Sequence, residues 1–160
     1  GMVGRTRRTG RIVGVVRHQA TIDGPRDKVF SYVDGYQNVS EYMFGVTRFE
    51  PTTEQTSGLG ATFAVSIDVG PKALKSVVKC TEYVENELIT LEAIEGFGAN
   101  TTWRFADADG GSATDMDVEF SYTLPGGMAG KLLGKIIGPF AAQAVRHTEV
   151  TIGKKVGAAG

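Results

Sequence analysis

The feature that most limits the fold is the stretch from Gly45 to Leu124, where apolar and polar residues alternate in short runs and no helix-length pattern intervenes. Alternation with a period of two marks a strand that has one covered and one wet face. Ala61 to Asp68 shows it plainly: Phe63, Val65 and Ile67 fall on one side, Thr62, Ser66 and Asp68 on the other. Val46 to Phe49, Lys75 to Val84, Leu88 to Ala93, Thr101 to Ala106 and Ala113 to Leu124 complete the run. The gaps hold Gly-Pro, Glu-Asn-Glu, Gly-Phe-Gly and Asp-Gly-Gly, all turn formers. Parallel pairing needs a crossover of roughly a dozen residues; none is available, so the sheet is expected to be antiparallel.

The strand registers can be cross-checked against one another. Pairing Tyr83 with Leu88 across the turn sets Cys80 against Leu91 and Val78 against Ala93. Centring the next hairpin on Phe97 sets Leu91 against Trp103 and Ile89 against Phe105; pairing Phe105 with Thr114 then sets Trp103 against Met116. One face collects Val78, Cys80, Ile89, Leu91, Ala93, Trp103, Phe105, Met116, Val118, Phe120 and Tyr122. The other collects Thr90, Glu92, Thr102, Arg104, Asp115, Asp117, Glu119 and Ser121. A one-residue slip would destroy this separation.

The flanking segments supply the remaining elements. Arg11 to Ile22 is rich in β-branched residues and reads as a further strand. Asp23-Gly24-Pro25 turns into a short helix with the apolar stripe Val29, Phe30, Val33, ended by Asp34-Gly35; a second short helix is placed at Val39 to Met43. After Pro125-Gly126-Gly127, helical spacing runs from Met128 to about Val156 through Leu132, Leu133, Ile136, Ile137, Phe140, Ala144, Val145, Thr148 and Ile152. Pro139 should kink this helix near Lys135 to Gly138. Gly126, Gly130, Gly134 and Gly138 recur along one side, compatible with close approach to the sheet, a helix-to-helix dimer seam, or a mobile half-helix. The expected architecture is α+β: a seven-stranded curved antiparallel sheet around a long C-terminal helix, with two short helices after the first strand.

Composition narrows the function classes. With 160 residues, 41% of them hydrophobic, the chain can bury one core without covalent staples. Its one cysteine, Cys80, excludes an internal disulfide and a multi-cysteine zinc site. A net charge of −1 gives no footprint for nucleic acid. Residues 1–10 form a basic arm, expected to be disordered, whose arginines Arg5, Arg7 and Arg8, with Arg11 beyond, could touch an anionic membrane transiently. Residues 11–156 are the folded domain and 157–160 a frayed tail. No signal peptide is visible, and the most apolar stretch, Ile136 to Val145, is shorter than the roughly 20 residues a membrane span needs, so the expectation is cytoplasmic. There is no nucleophile elbow, and no His and carboxylate spacing points to a metal or cofactor.

The element order and its local words resemble the START-like (helix-grip, SRPBCC) superfamily, and within it the polyketide cyclase/dehydrase and lipid-transport branch. Ala20-Thr21-Ile22-Asp23-Gly24-Pro25 followed by Val29-Phe30 is similar to the family's Ile-Asp-Ala-Pro word and its Val-Trp or Val-Phe. Cys80-Thr81-Glu82-Tyr83, Trp103-Arg104-Phe105 with Asp109-Gly110-Gly111, and Leu124-Pro125-Gly126-Gly127 match further words over about residues 12–156. The resemblance implies an elongated cavity between sheet and long helix that binds a lipid, sterol or polyketide-like molecule. It carries over no catalytic set, because the superfamily has no universal catalytic motif.

The residues expected to line such a cavity are Phe63, Val65, Val78, Cys80, Leu91, Trp103, Phe105, Met116, Val118, Phe120 and Tyr122 from the sheet, and Ile136, Phe140, Ala144 and His147 from the helix. His18 shares the inward parity of Val16 and Ala20 and joins them as a candidate polar anchor, with Tyr122 and His147. Two function classes compete: binding or transport of a small hydrophobic molecule, and a polyketide cyclase/dehydratase-type enzyme in which His18 or Tyr122 moves protons. A packed interaction protein that dimerises through its sheet edges or glycine-rich helix is the third. Glycines and Pro139 in Gly127 to Phe140 mark this half of the helix as the candidate gate.

Overall fold

A computed structural model describes residues 2–6, 11–124 and 128–159. In chain order the elements are β1 (Met2–Thr6), β2 (Arg11–Ile22), α1 (Arg26–Asp34), α2 (Val39–Tyr42), β3 (Val46–Pro51), β4 (Thr62–Val69), β5 (Lys72–Val84), β6 (Leu88–Gly96), β7 (Gly98–Ala108), β8 (Ala113–Leu124) and α3 (Met128–Ala159). Short 3-10 turns occupy Tyr36–Asn38 and Asp109–Gly111. The strands form one antiparallel sheet in the order β1-β2-β8-β7-β6-β5-β4-β3.

The sheet has to curl. Helix α3 touches β2 and β8 near one edge and also β4 next to the other. In a flat sheet β2 and β4 would stand roughly 24 Å apart at about 4.8 Å per strand, twice the diameter of a helix. Bulges between Val46 and Arg48, Val77 and Val78, and Cys80 and Glu82 bend the strands on that side. The apolar face wraps α3, α1 and α2, and the core runs from Val29, Phe30 and Ile152 to Met116, Trp103 and Cys80.

All seven expected strands and all three helices are present, and the face assignment holds: Val78, Cys80, Ile89, Trp103, Phe105, Met116, Val118 and Tyr122 are buried, while Leu91, Ala93 and Phe120 are half-buried against the core. Cys80 and Val78 meet Leu91 and Ala93 as expected, but past the bulge between Cys80 and Glu82 the ladder shifts by one and Tyr83 pairs with Ile89, not Leu88. Two further registers differ by two residues. Phe105 pairs with Met116, not Thr114, because the turn after Ala108 holds four residues, with Gly110 and Gly111 at φ of +70° and +99°, before Ala113 pairs back. Ile89 pairs with Trp103, not Phe105, because the ladder stops at Leu91 and Thr101; beyond it the Asn100 amide oxygen accepts from the Ala93 N–H, and the Phe97 N–H bonds to Lys75 on β5. A shift of two keeps the faces, whereas a shift of one would have exchanged them.

Met2–Thr6, assigned from sequence to a disordered arm, is an eighth strand antiparallel to β2. An edge strand of twelve residues leaves a row of unpaired backbone groups, and the preceding segment doubles back to pair with part of it. Arg7 and Arg8 lie outside the described residues. At the other end α3 continues to Ala159, past the expected stop at Val156, since Gly157 has no following proline to break it. The surroundings of the glycine ladder Gly126, Gly130, Gly134 and Gly138 also lie outside the described residues. Among the described residues no helix is long and apolar enough to cross a membrane.

Candidate functional site

Between the curled sheet and the helices lies a row of three small apolar cavities, a segmented channel in which each cavity shares wall residues with the next. The first, about 40 Å³, lies under Ile137, Phe140 and Ala144 of α3, against Leu74 of β5 and Val118 of β8. It shares Met43, Val46, Ile67, Thr101 and Phe120 with the middle segment of about 60 Å³. That in turn shares Val39, Tyr42, Phe49, Leu91 and Trp103 with a far segment of about 30 Å³, which ends at Asp34, Thr56 and Ser57. Each segment is large enough for a water molecule, but a drug-sized guest would need the half-buried rings of Phe120 and Phe140 to turn aside. A wider depression of about 490 Å³ lies on the outer face of the sheet among Gln19, Thr21, Arg104, Asp115 and Asp117. It faces solvent, and its polar walls are tied in pairs, Gln19 to Asp117 and Thr21 to Asp115.

Three polar side chains along the first two segments, those of Thr148, Ser76 and Tyr42, are already satisfied by the protein. The Thr148 hydroxyl donates to the Tyr42 carbonyl at 2.7 Å and stands 2.9 Å from that of Ala144. The Ser76 hydroxyl reaches the Phe97 carbonyl at 2.8 Å. The Tyr42 hydroxyl donates to the Val33 carbonyl at 2.7 Å, its ring meets Trp103 edge-on at 5.6 Å, and complete burial pushes its ionisation far above the ordinary range. Bonded hydroxyls leave walls that recognise a guest by shape and apolar contact.

The near mouth is aromatic. Phe44, which is exposed, lies 5.5 Å from Phe140 and 5.6 Å from His147, ring centre to ring centre. Phe140 stands directly over Gly45, whose φ of +89° and missing side chain make room for it.

The sequence-predicted residues divide by what they face. Phe63, Val65, Val78, Cys80, Leu91, Trp103, Val118, Phe120, Phe140 and Ala144 lie on the channel. Phe105 and Met116 are core: Phe105 packs edge-on to Phe30 of α1 at 5.3 Å, and Met116 is fully buried. Tyr122 is buried beside Phe120 with its ring against Gly14, off the channel, and burial raises its hydroxyl pKa. His18 keeps its inward parity but meets α3, not a cavity: its Nε2 lies 2.5 Å from Oε2 of Glu149. His147 is exposed, near the Glu41 carbonyl and the Thr151 hydroxyl. The side chain of Ile136 lies outside the described residues, and its neighbour Ile137 lines the channel.

Sequence reasoning missed wall residues within elements, among them Phe49 of β3, Ile67 of β4, Leu74 and Ser76 of β5 and Thr148 of α3, and others at or near the connections. Met43 and Phe44 follow α2, Thr101 and Phe97 sit where β6 and β7 part, and Asp34 and Ser57 close the far end. For Met43 and Phe44 the signal was present: two large apolar residues just past a helix too short to bury them. Nothing local marks Ser57 as a neighbour of Asp34. Among the described residues no three His, Cys, Asp or Glu side chains converge as a metal site would require.

Comparison with known proteins agrees with this geometry. TTHA0849 from Thermus thermophilus superposes with a TM-score of 0.77 over 92% of this chain and 99% of its own, at 19% identity. The Zhui aromatase/cyclase from Streptomyces sp. R1128 gives 0.72 over 92% and 98% at 14% identity, and a START superfamily protein from Mycobacterium smegmatis gives 0.72 over 91% and 99% at 10%. At such identities the likeness establishes the START-like helix-grip fold and no more. A search of curated proteins returns no match. A family model described as polyketide cyclase/dehydrase and lipid transport matches residues 14–149, most of the chain, and the chain therefore belongs to that family.

Proposed function

We propose that this protein binds a small hydrophobic molecule in the channel between its sheet and α3. The observation that carries the reading is the continuity of apolar wall from Phe140 to Leu91, along which the hydroxyls of Thr148, Ser76 and Tyr42 are bonded to the protein itself. Affinity then comes mainly from burying ligand carbon, about 25 cal/mol per Å². Family membership supports the same class of ligand.

The enzyme reading, a cyclase or dehydratase acting on a polyketide-like substrate, shares the cavity, and the Streptomyces aromatase/cyclase shares the fold. We place it second. Its expected proton carriers are away from the channel: His18 is bonded to Glu149, and Tyr122 lies against Gly14.

Titration with the neutral fluorescent probe N-phenyl-1-naphthylamine tests the binding reading. Leu91 lines the middle and far segments, so Leu91→Trp should block their junction and weaken binding at least about tenfold, a loss of some tens of Å² of contact. Equal affinity in wild type and a well-folded Leu91→Trp variant would refute the assignment of this channel.

A further inference from the structure

The far end of the channel carries a carboxylate that forms no ion pair among the described residues. Asp34 is the last residue of α1, and its side chain borders the segment lined by Val33, Phe63, Leu91 and Trp103. Its Oδ2 accepts from the Ser57 hydroxyl at 2.7 Å and from the Tyr83 hydroxyl at 3.0 Å. A carboxylate has about four acceptor positions. Among the described residues none donates to Oδ1, and no Lys, Arg or His lies within ion-pair distance. The C-terminal end of a helix is also where a negative charge is least favoured, and this helix has no basic residue in its last turn. The charge is felt nearby: the Cys80 thiol, on the same segment, is pushed up by burial first and by Asp34 second.

The two partners are held from different parts of the chain. Tyr83 comes from β5, its ring edge-on to Phe30 at 5.6 Å. Ser57 sits in the loop between β3 and β4, which is tied by the Gln55 amide to the carbonyls of Ser57 and Leu59 at 2.7 and 2.8 Å and pinned by the Gly60 N–H on the Cys80 carbonyl at 2.9 Å. Both hydroxyls donate to one oxygen and so fix the carboxylate with its second oxygen uncommitted. A fixed carboxylate with spare lone pairs and no ion pair among the described residues, at the end of an apolar tube, selects a hydrogen-bond donor.

We propose that Asp34, positioned by Ser57 and Tyr83, is the head-group site of the channel and takes the hydroxyl or ammonium end of an otherwise apolar ligand. This rests on the binding reading above and adds the ligand's polarity to it: a donor or cation at the Asp34 end, hydrocarbon toward Phe140, and rejection of carboxylates.

Displacement of N-phenyl-1-naphthylamine from the full chain by ligands with one ten-carbon tail tests it. In wild type, 1-decanol and decylamine should displace the probe at concentrations about tenfold or more below 1-methoxydecane, the gain of one hydrogen bond to a charged group, and decanoate should be the weakest. Asp34→Asn keeps the shape and removes the charge. It should cost decylamine most of its advantage over 1-methoxydecane and restore decanoate. Tyr83→Phe and Ser57→Ala should each reduce the decanol preference by a smaller factor, and serve alone if the Asp34 variant does not fold. Wild type that treats decanol, decylamine and 1-methoxydecane alike, or an Asp34→Asn variant that keeps the amine preference, overturns the proposal and leaves the channel intact. Failure of the probe itself to bind overturns the channel as well.

Discussion

Phe140 of α3 stands over the α-carbon of Gly45, so close that a β-carbon on Gly45 would lie 2.4 Å from its Cζ. The same carbon would lie 2.9 Å from the Asp68 carbonyl oxygen, which cannot swing away as a ring can. Phe140 is one wall of the near mouth, so the backbone turn at Gly45 and the closure of the channel depend on each other.

Gly45→Ala should therefore act on stability and access together. The left-handed φ and the contact with Asp68 should lower stability by about 1–3 kcal/mol. The displaced Phe140 ring should raise the association rate of N-phenyl-1-naphthylamine in stopped flow. Phe140→Leu should raise that rate with the turn untouched. If neither variant changes the rate, the guest enters elsewhere.

Inward parity alone would make His18 matter more for ligand affinity than for stability, and its partner reverses that expectation. With Nε2 at 2.5 Å from Glu149 it ties β2 to α3, and the pair is about one-third exposed. His18→Ala should lower stability by no more than about 1 kcal/mol and leave probe affinity unchanged. A denaturation cycle with Glu149→Gln should show the double variant no less stable than the worse single one. Additive losses would mean that the two side chains act separately.

The fold was legible because alternation is a local property: Phe63 and Val65, or Trp103 and Phe105, announce their shared side without knowledge of what covers it. The registers of the two later hairpins were legible only modulo two, since parity constrains the face while turn geometry sets the offset, and the four-residue turn after Ala108 is longer than its Asp-Gly-Gly suggests. At Tyr83 even parity failed, because the bulge between Cys80 and Glu82 moves its partner from Leu88 to Ile89. Part of the sheet's share of the channel followed from parity. Met43, Phe97 and Ser57 did not, because they reach the channel through the path of connections. His18 shows the limit from the other side: its direction was right, but which α3 residue it meets is a tertiary fact.

On the outer face, Arg17 grips Asp117 through Nη2 at 2.6 Å and Nε at 3.2 Å, with the Gln19 amide at 3.0 Å. The Arg17 hydrogen bonds, ahead of the opposing effect of partial burial, hold the Asp117 pKa below the ordinary carboxylate value. A depressed folded pKa stabilises the fold above the unfolded value of about 3.9, and that stabilisation disappears as pH falls through the lower folded value. Arg17→Ala should move the Asp117 titration upward in carboxyl carbon NMR, and Gln19→Ala should move it less. The stability difference between Arg17→Ala and wild type should be present at neutral pH and vanish in strong acid. An unmoved Asp117 titration would contradict the pairing.

The last prediction concerns α3 itself. Met128–Ala159 is one helix, and Pro139 lies within it. Proline has no N–H for the carbonyl four residues back, here that of Lys135, and its ring crowds that carbonyl. Gly130, Gly134 and Gly138 add about 1 kcal/mol each of helix weakness relative to alanine on the same side of the proline. After Pro139 the helix is fastened: Thr148 bonds the Tyr42 carbonyl, Glu149 meets His18, and Ile152 and Val156 are buried. Protection in a helix follows the stability of the segment that must open, so the two halves should differ. Amide hydrogen exchange should be faster over residues 128–138 than over 141–156. Saturating N-phenyl-1-naphthylamine should narrow the gap, because Ile137 and Phe140 border the first channel segment and a guest there adds contacts to the weak half. A gap that persists unchanged with the probe bound would leave a weak helix end with no part in admitting a ligand. Equal exchange in both halves of the free protein would exclude this half as the gate.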